Sequence, residues 1–222
     1  MSERKREINL MERYPQGKGR NAERPAITAE DRRISKEFGR DYFDGNRRHG
    51  YGGYNYHPRF WTDTVRYIRD YYQLREDAHI LDIGCAKGFM LYDFQQLMPK
   101  ATLAGIDVSE YAIENAVDPV KPFLRVGNAK SLPFADNSFD LVLAINTIHN
   151  LTYEDCKKSL REIQRMSRRD AFVMVDAYRT EEQREAMLKW VLTAETMLHV
   201  DDWLKLFADA GYTGDYYWWI VQ

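Results

Sequence analysis

The short apolar run His79-Ile80-Leu81-Asp82-Ile83 passes directly into Gly84-Cys85-Ala86-Lys87-Gly88, and from there into Phe89–Met98, where apolar residues fall at helical spacing. A strand that turns on glycine and starts a helix at once belongs at the carboxyl edge of a parallel sheet. The following segments keep the same alternation. Thr102–Asp107 reads as the next strand and Ser109–Ala116 as the next helix, with Ser109 as its N-cap. Pro122–Asn128, Phe139–Ile145 and Ala171–Ala177 read as three further strands, and Tyr153–Met166 as a helix capped by Thr152 with Asp155 three residues on. Helices are expected near Glu181–Leu192 and Val200–Ala210, then one terminal strand, Tyr216–Val221. The predicted fold is α/β: a doubly wound, mostly parallel, Rossmann-like sheet with helices on both faces.

Residues 1–57 differ from the rest. They are rich in Arg and Glu and poor in Val, Ile and Leu, which marks them as an N-terminal extension to a domain at 58–222. One helix is expected there, with Thr28 as cap, Asp31 completing a capping box and Gly39 ending it. An aromatic, glycine-rich patch follows, with Tyr51, Tyr54 and Tyr56 leading to Trp61. It reads either as a lid over a ligand or as a surface loop packed on the domain. Pro58 then starts a helix whose apolar face is Trp61, Val65, Ile68 and Tyr72.

The formal net charge of −2 gives no sign of a polyanionic partner, and the arginines of the extension are interleaved with acids. No apolar run approaches a membrane span. Two cysteines, Cys85 and Cys156, make neither a disulfide framework nor a metal-ligand cluster, so no metal is predicted and the location expected is cytoplasmic.

In an open α/β sheet, ligands sit outside the carboxyl ends of the strands. At the first such end, Gly84 allows a tight turn, and the helix start behind it suits a carboxylate. At the second, Asp107 can accept the hydroxyls of a ribose. At the third, Gly127-Asn128-Ala129 can meet the rim of a purine.

LDIGCAKG (residues 81–88), GIDVS (105–109) and GNAKSLPFADNSFDLVLAINTIHNL (127–151) together resemble the class I S-adenosylmethionine (SAM)-dependent methyltransferases, over roughly residues 60–215. The resemblance implies SAM as cofactor. Gly84 and Gly88 would lie around its methionine portion, Asp107 at the ribose, and Asn128 and Ala129 at the adenine, with Asp82, Cys85, Ala86, Val108 and Asn146 also binding the cofactor. Three departures stand out. Ala86 replaces a common glycine, so the backbone there is expected to follow a slightly different path. Asn128 stands where aspartate is common. A single terminal strand replaces the usual antiparallel pair, implying a shortened sheet edge or one completed by a second subunit, hence a candidate homodimer.

For the chemistry, His149 is the candidate base, in the segment that leaves the fourth strand; histidine titrates near neutrality. The competing reading is that it packs against the ligand or bonds a backbone carbonyl. Asn146 can orient a substrate or tie down its loop. Tyr178 can bond the acceptor, and Arg179 can pair with an anionic group on it or with nearby acids. With Tyr51, Tyr54, Tyr56 and Trp61, these form the expected acceptor side. The function expected is methylation of a small molecule, a sugar or secondary-metabolite intermediate for example. Two alternatives stand beside it: use of the aminocarboxypropyl arm of SAM, with release of methylthioadenosine, and an RNA-targeting or non-catalytic protein of the same fold.

Overall fold

The computed structural model describes residues 6–15 and 26–221. Five parallel strands make the body of the sheet: β1 (His79–Ile83), β2 (Thr102–Asp107), β3 (Leu124–Val126), β4 (Phe139–Ile145) and β5 (Ser167–Tyr178). Two shorter strands, β6 (Leu198–His199) and β7 (Asp215–Trp219), both pair with β5. The order is β3-β2-β1-β4-β5-β6, so the chain runs outward from β1, returns, and resumes beside it at β4. That reversal opens a crevice between the carboxyl ends of β1 and β4.

Consecutive strand residues alternate between two cores. Leu81, Ile83, Val142, Ala144, Val173 and Val175 face α6 (Tyr153–Met166) and α8 (Val200–Ala210), meeting Leu160, Ile163, Trp203 and Phe207. Ile80, Leu141, Leu143, Phe172 and Met174 face α3 (Pro58–Tyr72) and α4 (Phe89–Leu97), meeting Val65, Ile68, Leu91 and Phe94. Strand residues buried on both sides account for the near-continuous apolar runs in the sequence.

Local capping explains the helix starts. Thr28 and Asp31 close a reciprocal capping box on α1 (Ala29–Ser35), and Thr152 accepts the Asp155 N–H at the start of α6. Gly39, expected to end a helix, instead begins α2 (Arg40–Phe43), because α1 already stops at Ser35. The third strand is shorter than expected, since Lys121–Phe123 take a 3-10 turn around Pro122. Strand β6 escaped the sequence reading; at two residues it carries no periodicity.

The largest difference lies at the sheet edge. β7 runs parallel to β5, with Asp176 opposite Trp219, and its outer edge is covered by the chain's own N-terminal segment. Ile8 N–H donates to the Tyr216 carbonyl at 2.9 Å, and Tyr216 N–H to the Arg6 carbonyl at 3.0 Å. The Arg6 guanidinium grips the buried Asp215 carboxylate with two bonds of 3.1 Å, and Leu10 and Met11 enter the α3 core. Trp218 packs in the opposite core, its ring stacked on Phe207.

Candidate functional site

A cavity of about 560 Å³ occupies the crevice at the carboxyl ends of the strands. Its floor is the turn after β1. Gly84 (φ +81°) lies so close to Thr147, after β4, that a Cβ there would fall 2.0 Å from Thr147 Oγ1. Thr147 is itself fixed, its one hydroxyl proton shared between the Ile83 and Ile145 carbonyls, each 3.0 Å away. Ala86 takes φ +49°, a left-handed conformation that glycine would adopt without strain. Ala86→Gly is therefore expected to raise stability by about 1 kcal/mol, the left-handed penalty less the chain entropy glycine adds; a chemical denaturation midpoint measures it.

Four N–H groups of the turn are committed internally. Gly84 and Cys85 donate to the Ile106 carbonyl, Gly88 to the Cys85 carbonyl, and Ala86 to Asp107 Oδ2 at 2.7 Å. A ligand carboxylate is thus left the first turn of α4, where Phe89 and Met90 line the cavity. Gly88 does not line it. Gly88 is instead the αL cap of α4, and a Cβ there would come 2.8 Å from Leu124 Cδ1.

Asp107 ends β2 with each carboxylate oxygen accepting one backbone N–H, from Ala86 at 2.7 Å and from Ser109 at 2.8 Å. The remaining lone pairs suit two hydroxyls. Burial pushes its pKa up while those N–H groups pull it back. Asn128 closes its own turn by accepting the Lys130 N–H at 3.0 Å, and Ala129 lies beside it in the cavity wall. Asn146 sits at φ +53° after β4, its N–H bonded to the Met174 carbonyl. Cys85 and the half-exposed Val108 complete this half.

Asp82 also lines the cavity. Burial, with the Asp107 charge nearby, pushes its carboxyl up to about 8. A cationic ligand such as SAM favours the ionised form, so binding at pH 7 is expected to release a proton and to tighten as pH rises toward about 8. Calorimetry in buffers of different ionisation enthalpy measures the proton, and Asp82→Asn should remove it.

The N-terminal extension roofs the cavity. Phe38, Tyr42, Phe43, Tyr51 and Tyr54 contribute rings, with Tyr54 stacked on Phe89 at 4.7 Å. One buried cation fastens this roof to the glycine turn. Lys87 Nζ donates to Asp44 Oδ2 at 2.6 Å and to the Tyr54 carbonyl at 2.9 Å; Tyr111 donates to the same Asp44 oxygen at 2.7 Å. Ser109 Oγ adds a bond to the Phe38 carbonyl. Nothing in the sequence pattern signalled the Lys87–Asp44 pair, whose partners lie 43 residues apart.

Of the expected acceptor-side residues, Tyr51, Tyr54, Trp61, Asn146 and His149 line the cavity. Three do not. Tyr56 packs on Phe89 and Tyr92 and donates to Asp93 at 3.1 Å. Tyr178 is drawn aside where β6 pairs, its ring against His199. Arg179 reaches Glu7 at 2.7 Å. His57 serves as the N-cap of α3 and lines the mouth. The sequence reading missed Met11, Tyr14, Met174, Trp190 and Trp219, all of which line the cavity, as does Asp176, to which it gave no role. Period-2 alternation put Trp219 on the face opposite Trp218, but only the pairing of β7 brings that face to the site.

A family model described as a methyltransferase domain matches residues 81–175, which run from β1 through most of β5. Over this segment the chain is similar to the class I SAM-dependent methyltransferases. The uncharacterized methyltransferase YcgJ of Bacillus subtilis (strain 168) is 32% identical over 117 residues, which is 50% of this chain and 45% of that relative. A demethylmenaquinone methyltransferase of Symbiobacterium thermophilum is 36% identical over 100 residues, 41% of this chain and 39% of that relative. The chain thus spans less than half the length of these curated relatives. The crystal structure of Bacillus YcgJ shares the fold, at a TM-score of 0.53 and 20% identity over 66% of each chain.

SAM is the cofactor of such a domain, and the cavity fits it. The Gly84 cradle admits a ligand against the main chain, Asp107 keeps two hydroxyl-accepting positions, and Asp82 offers a carboxylate to a cation.

Proposed function

We propose that this protein transfers the methyl group of SAM to a neutral small molecule. One observation carries the reading: a single roofed cavity has the cofactor-type residues Asp82, Gly84 and Asp107 at one end and the rings of Tyr14, Phe60, Trp61 and Trp219 at the other. A volume of about 560 Å³ is in the range of small-molecule sites, and the roof suits a free metabolite better than a macromolecular chain. Among the described lining residues Arg47 alone is a cation, and its guanidinium is bonded to the Gly50 carbonyl, whereas Asp82, Asp107 and Asp176 are acids. That balance disfavours an anionic acceptor.

When bound, SAM supplies an electrophilic methyl carbon on a sulfonium. The chain's part is to hold the acceptor in line with that carbon, which is worth up to about 7–11 kcal/mol, and to exclude water. The roof of Tyr42, Tyr51 and Tyr54, fastened through Lys87, performs the exclusion. No helix among the described residues is long and apolar enough to cross a membrane. Both cysteines are free and buried, which fits the cytoplasm as the proposed location.

The test is incubation with SAM and a small-metabolite extract, followed by mass spectrometry of the nucleoside product. Adenosylhomocysteine is expected. Methylthioadenosine would instead assign use of the aminocarboxypropyl arm, and neither product would remove the enzymatic reading.

A further inference from the structure

The acceptor end of the cavity is walled by rings and holds one carboxyl group. On β5, Met174 and Asp176 share the face that Trp219 continues on β7, and Tyr14 and Trp61, with centroids 5.0 Å apart, close it from the α3 side. Asp176 is 7% exposed. Its carboxylate faces His149, whose Nε2 lies 3.6 Å from Asp176 Oδ2.

The other nitrogen of that ring decides what the histidine can do. His149 Nδ1 accepts the Asp176 backbone N–H at 2.9 Å. Accepting requires the Nδ1 lone pair, so the proton of the neutral ring sits on Nε2, facing the carboxylate. Burial holds the imidazole pKa down and keeps the ring neutral. In this state His149 has no lone pair left to take a proton from an acceptor. Asp176 has one carboxylate oxygen turned to His149, and among the described residues no hydrogen bond is made to the other, Oδ1. Burial also raises the Asp176 pKa, which makes it a stronger base than an exposed carboxylate, while His149 favours its ionised form.

We propose that Asp176, positioned by His149, receives the proton of a hydroxyl on a neutral, ring-bearing acceptor such as a phenol. The proposal rests on the methyl-transfer reading above. As the acceptor oxygen bonds to the methyl carbon, the carbon–sulfur bond breaks and its electron pair stays on sulfur. The O–H bond breaks with its proton passing to the Asp176 carboxylate, and from there to solvent. The chamber suits the substrate class: the rings of Tyr14, Trp61 and Trp219 match a planar apolar body, and the single carboxylate matches its one donor.

The experiment uses the full chain with SAM and a panel of simple phenols and catechol as probes. In the wild type, adenosylhomocysteine formation is expected, with an acid limb set by Asp176 facing His149 in a cavity shared with Asp82 and Asp107. Asp176→Asn should lower kcat by about 10²–10⁴-fold and abolish that limb while leaving the Kd for SAM unchanged; Asp176→Glu should restore part of the rate. A loss below tenfold in Asp176→Asn overturns the base assignment and leaves methyl transfer standing. Turnover with the metabolite extract but with none of the phenols overturns the acceptor class. Absence of adenosylhomocysteine with every acceptor removes the methyl-transfer reading, and this proposal with it. The role of His149 has its own readout, the ¹⁵N–¹H correlation of the imidazole. It should show the proton on Nε2, and a proton on Nδ1 would overturn the positioning role.

Discussion

Gly84→Ala is expected to abolish measurable SAM binding and to destabilise the fold by roughly 2–5 kcal/mol. Two costs add. The residue occupies φ +81°, where a Cβ costs about 1–2 kcal/mol. The new methyl would also fall 2.0 Å from Thr147 Oγ1 and 2.6 Å from its Cγ2. Thr147 cannot swing away without losing its bonds to the Ile83 and Ile145 carbonyls, so overpacking adds about 1–3 kcal/mol. The strain falls where the first and fourth strand ends meet, so binding should fail even in molecules that stay folded. Equilibrium dialysis with labelled SAM, beside a thermal melt, separates the two effects; unaltered affinity would remove the turn from the cofactor site.

The second large effect is expected at Asp44, outside the family's matched segment. Asp44→Ala leaves Lys87, 5% exposed, as a buried ammonium whose remaining partners among the described residues are the Tyr54 carbonyl and the face of the Tyr111 ring, and takes the acceptor from the Tyr111 hydroxyl. Removing one member of a buried ion pair costs about 3–5 kcal/mol, which for a chain of this size lowers the Tm by about 6–20 °C. The roof should loosen with it, raising the Kd for SAM. Adding Lys87→Met to Asp44→Ala removes the stranded charge and should recover much of the stability without recovering affinity. If the single variant melts within a degree or two of wild type, the pair does not fasten the roof.

Helix starts and the inner strands were legible because their signals are local. Thr152 with Asp155, Ser109 and Thr28 with Asp31 declare their helices within four residues, and the β1 turn declares itself through two glycines. The cofactor end of the cavity was legible for the same reason: Asp82 and Asp107 lie in the last two residues of their strands, and Asn128 two residues past the end of its own. What escaped depended on contacts distant in sequence. Tyr178 and Asp176 are two residues apart on one face of β5, and alternation alone cannot choose between them. The choice falls to β6, which pairs beside Ala177 and Tyr178, and to His199, which takes the tyrosine ring. The direction of β7 was equally hidden, since a strand's periodicity is the same read either way.

The pairing of residues 6–8 with β7 bears on the order in which the molecule can be completed. Arg6 and Asp215 are separated by 209 positions, among the longest loops a chain of this length can close. Ribosomal synthesis delivers Arg6 well before Asp215, so β1–β4, with the crevice between them, can assemble before the acceptor chamber exists. Until Trp219 has emerged, Tyr14 and Leu10 have no strand edge to hold them near α3, and the chamber lacks two of its walls. Cofactor binding and acceptor binding are thus expected to mature at different times along the folding pathway, the first before the second.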